Sequence, residues 1–294
     1  MKDYIIFIDA SADIDRDFAA SHDIRFVPMH YTLGKEDRLS TGPEPIEIMK
    51  QLYNGQRNGD MTQTSQITPQ TYLDTFTPVL KEGKEVIYLS LSSGLTKTFD
   101  NVCMAKAELD EQFQDVHIYP VDTLSATGGI GLLTEAAVKN KENGMSASEN
   151  AENLKELSHK VCHVFMVEDL MYLKRGGRIS AATAMIGTVL NVKPILIIAP
   201  DGSLTTLRTK RGVKGALKEL ISTWEATRDK SLGDRIYVVH ADAQDRADAI
   251  ISAAKNIDPD VDPAQDMLCP VIGAHTGPGM AAIIYFGDRE AITK

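Results

Sequence analysis

The stretch Val86–Thr98, Val-Ile-Tyr-Leu-Ser-Leu-Ser-Ser-Gly-Leu-Thr-Lys-Thr, constrains this chain more than any other. Val86–Leu91 is short and almost wholly apolar, as a strand buried on both faces of a parallel sheet must be. It ends in Ser92-Ser93-Gly94, and from about Thr96 the apolar spacing turns helical as far as Ala107. A buried strand, a small polar turn and a helix start bring unpaired backbone N–H groups and hydroxyls to one place. That place favours a carboxylate or a phosphate, because the free N–H groups carry the positive end of the helix dipole.

The flanking segments extend the pattern. Tyr4–Ile8, Ile24–Leu33 and Val116–Val121 read as strands, with Pro28 suited to an edge or a bulge. Asp15–Ser21, a segment capped by Thr68 with Pro69 in its first turn, Gly128–Lys141 and Ala147–Leu157 read as helices. Lys35–Asp60 reads as a polar surface excursion with one helical piece near Pro45–Tyr53. Alternating strands and helices predict a parallel sheet covered by helices, with ligands beyond the carboxyl ends of its strands. The polar turns Asp9–Asp13, Ser92–Gly94 and Asp122–Ser125 occupy such ends, and Thr62–Gln66 precedes a helix.

From Val161 the texture changes. A strand over Val161–Val167 leads into a basic, glycine-bearing loop, Leu170–Ser180, then a helix of small residues, Ala181–Leu190. Pro194–Ala199, a turn at Asp201-Gly202 and Leu204–Leu207 predict a hairpin. Helix Val213–Asp229, strand Ile236–His240, helix Ala243–Ile257 and strand Ala281–Phe286 follow. The expected fold is α/β in two domains: an N-terminal parallel-sheet domain over 1–160 and a C-terminal α+β, mixed-sheet domain over 161–294.

Composition removes several functions. The 294 residues carry a net charge of −10, so a broad phosphate-tracking surface is not expected, and neither is nucleic acid as a partner. Cys103, Cys162 and Cys269 form no Cys-x-x-Cys pair and read as buried apolar filler. No apolar run reaches the ~18–20 residues that span a bilayer. Met1-Lys2-Asp3-Tyr4 runs straight into a strand, so no leader is read there and a cytoplasmic location is expected.

Chemical motifs are sparse. Ser92 or Ser93 with His275 would suit nucleophilic catalysis, but Ser90 stands where a nucleophile elbow needs glycine. Gly128-Gly129-Ile130-Gly131 lacks a full dinucleotide fingerprint and reads as close helix packing. The seven histidines show no paired ligand spacing on one element, so no metal is expected. Lys174-Arg175-Gly176-Gly177-Arg178 reads as a solvated turn, an anion clamp or a docking patch. Arg208-Thr209-Lys210-Arg211 reads as the approach to the helix from Val213, where a cation opposes the dipole, which leaves Arg208 for a partner. His275 lies among three glycines and a proline in Gly273–Gly279, a tight loop that suits a functional histidine.

Five stretches together resemble the DegV family of bacterial fatty-acid-binding proteins, the substrate-carrying subunits of fatty acid kinase. They are Asp9–Asp13, Thr64-Ser65-Gln66, Leu91–Thr96, Tyr172–Ser180 and His275–Gly279, in family order over almost the whole chain. The resemblance implies a two-domain fold with one long-chain fatty acid, such as palmitate, stearate or oleate, in a buried tunnel at the interdomain cleft. Thr64, Ser93 and His275 are then the expected carboxylate donors, with Thr62, Ser92, Gly94 and Lys97 as further site candidates. No cofactor is implied, and catalysis is expected in a separate ATP-using kinase whose acyl phosphate serves phospholipid synthesis. Arg208, Arg175 and Arg178 are the candidates for docking that kinase. Ala10, Ile67 and Lys97 depart from residues common in the family, and Lys97 is near enough to alter the head-group site. Ala181, Ala182, Ala184, Met185, Ile186 and Leu190 suit a tunnel wall or a packed helix. The competing reading is a hydrolase or transferase for a small anionic metabolite, with Ser93 and His275 catalytic.

Overall fold

A computed structural model describes residues 2–180 and 191–293. Numbered in chain order, the first half contains β1 (Tyr4–Asp9), α1 (Arg16–Ser21), β2 (Arg25–Val27), β3 (Met29–Leu33), β4 (Glu36–Ser40) and α2 (Ile46–Arg57). It continues through β5 (Thr62–Thr64), α3 (Pro69–Lys81), β6 (Glu85–Ser90), α4 (Thr98–Gln112), β7 (Ile118–Asp122), α5 (Gly128–Glu142) and α6 (Ala147–Ser158). The second half contains β8 (Val161–Met166), α7 (Met171–Arg175), β9 (Val192–Ile198), β10 (Leu204–Arg211) and α8 (Gly212–Thr227). It ends with β11 (Arg235–His240), α9 (Gln244–Ile257), β12 (Asp262–Met267), α10 (Pro270–Thr276) and β13 (Ala281–Phe286).

The strand at the centre of the sequence argument is also central in space. β6 lies between β1 and β7 in an all-parallel sheet of order β2-β1-β6-β7, with every residue buried. The second sheet, β10-β9-β8-β13-β11-β12, is mixed: its strands pair antiparallel except β11 with β12. Pro28 divides the expected Ile24–Leu33 strand, having no N–H for a ladder. β2 joins the parallel sheet, and β3 enters a small antiparallel sheet of order β4-β3-β5. β4, β5, α7, β12 and α10 are elements that the sequence reading did not predict.

α5 is wedged between the two large sheets. Side chains from both, such as Ile8 and Leu89 on one and Phe165 and Ile284 on the other, share a core with Ile130 and Leu133 of this helix. The glycine-rich start of α5 makes the close approach possible. A Cβ at Gly128 would lie 2.6 Å from Tyr237, and one at Gly129 would lie 2.4 Å from the His163 ring. The outer face of the parallel sheet packs Tyr88 against Tyr72 and Phe76 of α3. The outer face of the mixed sheet buries Val164 and Ile283 with Leu220 and Trp224 of α8. Cys162 and Cys269 are buried as expected, but Cys103 lies on the exposed face of α4. No described helix is long and apolar enough to cross a membrane.

Candidate functional site

The carboxyl ends of the parallel strands open toward the mixed sheet around a cavity of about 240 Å³. By the same measure one water needs only about 10–15 Å³, so this is ligand-sized space rather than a packing defect. Its floor is the inward face of the mixed sheet: His163 and Phe165 of β8, Ala282 and Ile284 of β13, Ile198 and Leu204. Leu91, Leu95 and Ala126 close it from the parallel-sheet side. Its polar end gathers Thr64, Ser65 and Gln66 after β5, Thr96, Arg178 beyond α7, and His275 in the last turn of α10.

Thr64 and His275 are brought together by elements far apart in sequence. Thr64 ends β5, which pairs with β3. α10 is tied to the same region by Tyr53, whose hydroxyl donates to the Leu268 carbonyl at 2.7 Å. Gln56 adds a bond, its Nε2 donating to the Gly273 carbonyl at 3.0 Å. Thr62 serves this scaffold and does not line the cavity: its hydroxyl donates to the Ala274 carbonyl at 2.7 Å. The result places Thr64 Oγ1 2.7 Å from His275 Nε2. The other ring nitrogen, Nδ1, is buried without a hydrogen-bond partner and faces Gly176, where a Cβ would stand 2.2 Å away. Burial, with the Arg178 charge adding to it, lowers the His275 pKa to about 4, so the imidazole is neutral at pH 7.

Of the readings open for its loop, Arg178 departs from the solvated turn and the docking patch: it turns inward. Its Nε donates to the Leu95 carbonyl at 3.2 Å and Nη1 to the Gly176 carbonyl, beside the cavity's polar end. It forms no ion pair with an acid among the described residues, and burial lowers its pKa. The loop therefore wraps its guanidinium against carbonyls and leaves its charge unmatched. A run of cations and glycines gives no sign of which cation turns in.

Ser93 does not line the cavity. Its N–H donates to Asp122 Oδ1 at 3.1 Å, and the turn is drawn onto the β9–β10 hairpin, where the Ser92 hydroxyl donates to the Gly202 carbonyl at 2.8 Å. Gly94 packs on that same turn: a Cβ there would lie 2.4 Å from the Gly202 carbonyl carbon. Ser92 and Gly94 thus join the two halves of the molecule, while Leu91, Leu95 and Thr96 around them reach the cavity. Lys97 is exposed, pairs with Asp100 at 3.4 Å and does not line the cavity. Asp9 is equally structural, its carboxylate accepting from the Leu91 N–H at 2.7 Å and pinning the end of β6 to β1.

The remaining basic candidates are on the surface. β10 runs on to Arg211, so Arg208 and Lys210 are strand residues, both on Glu219 at 2.7 Å. Arg175 is exposed over the Tyr172 ring. The residues expected as tunnel wall, Ala181, Ala182, Ala184, Met185, Ile186 and Leu190, lie outside the described residues. Among the described residues, no group of three or more His, Cys, Asp or Glu side chains is placed to hold a metal. Nor does Ser93 hydrogen-bond His275, whose Nε2 is taken up by Thr64, so the serine–histidine pair that an acyl-transfer enzyme would need is not formed here.

Comparison with known proteins bears on this arrangement. A family profile described as "Uncharacterised protein, DegV family" matches residues 4–288, and the chain belongs to that family. A DegV domain-containing protein of Clostridium perfringens is 32% identical over 290 residues, covering 99% of both chains. A DegV family protein from Thermus thermophilus, described by its fatty acid binding, superposes with a TM-score of 0.84 at 27% identity over 98% of this chain and all of the other. The Streptococcus pneumoniae fatty acid kinase B3 protein, loaded with linoleic acid, shares the fold at a TM-score of 0.82 and 19% identity, over 97% of this chain and all of that one. The first of these solved relatives is described by its fatty acid binding and the second as loaded with a fatty acid.

Proposed function

We propose that this chain binds a long-chain fatty acid in the cavity and presents its carboxylate to a separate ATP-dependent kinase, which forms the acyl phosphate for phospholipid synthesis. The observation that carries the reading is Arg178, a half-buried cation without an acid partner among the described residues, at the polar end of an otherwise apolar cavity. A carboxylate supplies the missing charge, with Thr64 and His275 as neutral partners beside it. An acyl chain supplies what the floor lacks, an apolar surface. At about 0.8 kcal/mol per CH₂, a chain of roughly 16 carbons gains on the order of 10 kcal/mol before entropy costs. A small polar metabolite would leave the partly exposed apolar lining, such as Leu95 and Leu204, without an apolar partner.

The likeness to the Thermus protein supports the ligand class. The kinase step is supported by the exposure of Ser65 and Gln66 at the cavity's polar end, which would put a head group held there within a partner's reach. Arg175 and Arg208, both exposed, remain the docking candidates near and beyond that rim. Native mass spectrometry of the purified chain, followed by solvent extraction, tests the reading. A stoichiometric long-chain fatty acid is the expected result. A clean apo mass with no uptake of palmitate or oleate overturns it.

A further inference from the structure

An apolar tunnel has no evident use for an imidazole, yet His163 forms part of this one's floor. It lies on the inward face of β8, two residues from Phe165, and pairs across the sheet with Ile284 as Phe165 pairs with Ala282. The side chain is 3% exposed. Its Nε2 lies 3.1 Å from the Ala126 carbonyl oxygen, nearer than the Ala126 amide at 3.5 Å. A carbonyl only accepts, so Nε2 carries the ring proton and Nδ1 is a bare acceptor. Burial and the neighbouring Arg289 guanidinium keep the ring neutral, with a pKa of about 3. Arg289 itself is held by the carbonyls of Ile198, Ser158, Leu124 and Ala199. Nδ1 of His163 is buried and has no hydrogen-bond partner. Buried acceptors left unmet are costly and uncommon, and a leucine here would fill the space without that cost.

We infer that Nδ1 of His163 is a polar subsite in the acyl wall, accepting a hydrogen bond from a hydroxyl on the fatty acid's chain. The inference rests on the fatty-acid reading above. It makes the cavity a selector for hydroxylated acids by the position of the hydroxyl. The His163–Ile284 rung lies one step, about 7 Å, further along the strands than Phe165–Ala282, away from the end that leads to α7 and α10. A hydroxyl on the carbon next to the carboxylate therefore falls short of it, and one in mid-chain reaches it. Against Phe165, Ala282, Ile284, Ile198 or Leu204 the same hydroxyl meets an apolar side chain and loses its hydrogen bonds to water.

The experiment is a competition series on the full chain, displacing a fluorescent fatty acid with stearate and with stearates hydroxylated at successive carbons. One isomer, or two adjacent ones, should bind on the order of tenfold more tightly than the other hydroxylated isomers. Converting that hydroxyl to its methyl ether should abolish the advantage on the unaltered protein. In His163→Leu the ratio between the favoured isomer and the other hydroxylated isomers should fall to about one, whatever the variant's affinity for stearate itself. Isomers that bind alike, or an advantage that survives in the ether or in His163→Leu, overturn the subsite. If the variant fails to fold, the ether comparison decides alone. Stearate that does not bind at all overturns the fatty-acid reading and the subsite with it, whereas stearate that binds beside indifferent isomers overturns the subsite only.

Discussion

Thr64 Oγ1 and His275 Nε2 lie 2.7 Å apart although 211 residues separate them in the chain. The contact closes the small β4-β3-β5 sheet onto α10 at the cavity's polar end. In the tautomer that carries its proton on Nε2, His275 donates to Thr64 and leaves the Thr64 hydroxyl hydrogen for a carboxylate. The imidazole thus orients a neutral donor without adding charge of its own.

That orientation depends on Gly176. Its backbone is helical, φ −70°, so alanine brings no conformational penalty there, but the new Cβ would stand 2.2 Å from His275 Nδ1. Gly176→Ala should therefore displace the ring, break its bond to Thr64 and weaken fatty-acid binding on the order of tenfold. Gly177 is the opposite case: φ is +74° and nothing lies within 4 Å of a Cβ. Gly177→Ala should cost about 1–2 kcal/mol in stability by denaturant melts and leave affinity unchanged. Equal affinity losses in the two variants would contradict this division.

The two buried histidines give acid sensitivity a definite sign. His163 and His275 have pKa values lowered to about 3 and about 4, against an ordinary value near 6.5. Between those limits the unfolded chain binds protons that the folded chain refuses, so stability from these groups is full above pH 6.5 and declines as pH falls. Asp13 and Asp266, both raised by burial, pull the other way, since the folded chain holds their protons longer. A difference experiment isolates the histidine term. Relative to His163→Leu, the unaltered chain should lose about 2 kcal/mol between pH 7 and pH 5. Parallel stability curves across that range would mean that the ring takes up its proton in the folded state.

Much of the fold was readable because it rests on periodicity and turn chemistry. The apolar run at Val86–Leu91, the strand–helix alternation and the turn at Asp201-Gly202 each have a local cause, whereas the single strand expected over Ile24–Leu33 divides at Pro28. What escaped was set by tertiary context. Asp262–Met267, with a proline and three acidic or amide side chains, has no strand pattern of its own and is strand only because β11 offers it a parallel edge. Pro270–Thr276 is helical where its glycines suggested a loop. At the site, Thr64 and His275 carried motif signals. Arg178 lay within the Tyr172–Ser180 motif too, but which of its cations turns inward was not legible, because the burial that distinguishes it from Lys174 and Arg175 depends on where the loop after α7 folds back. Ser93, expected as a carboxylate donor, is set off the cavity lining because Asp122 accepts from its backbone N–H and the hairpin holds Ser92 beside it.

The hairpin contact is itself testable. Ser92 donates to the Gly202 carbonyl, and Gly202, at φ +83°, leaves no room for a Cβ, which would lie 2.2 Å from Ser92 Oγ. Ser92→Ala removes one buried hydrogen bond and leaves a buried carbonyl unmet, so it should cost about 1–3 kcal/mol. Gly202→Ala adds left-handed strain and a steric clash, and should cost more. Hydrogen exchange should show the loss in the Ser92–Thr96 turn and in the β9–β10 hairpin together. Loosening confined to the hairpin would show that the contact does not couple the two halves.

Arg178 offers the sharpest separation between a structural cation and a binding one. In the empty protein its charge is half-buried and unmatched by an acid among the described residues, an arrangement that costs stability. A bound carboxylate reverses the balance, because the charge-assisted pair is worth about 1.5–3 kcal/mol. Arg178→Met keeps the length of the side chain and removes the charge. Thermal melts of delipidated protein should therefore show the variant as stable as the parent or more so. Melts with saturating oleate should show the parent gaining more than the variant, and affinity for oleate should fall about tenfold to a hundredfold in Arg178→Met. A variant destabilised when empty yet unchanged in affinity would assign the guanidinium to the Leu95 and Gly176 carbonyls alone, and would leave the carboxylate to Thr64 and His275.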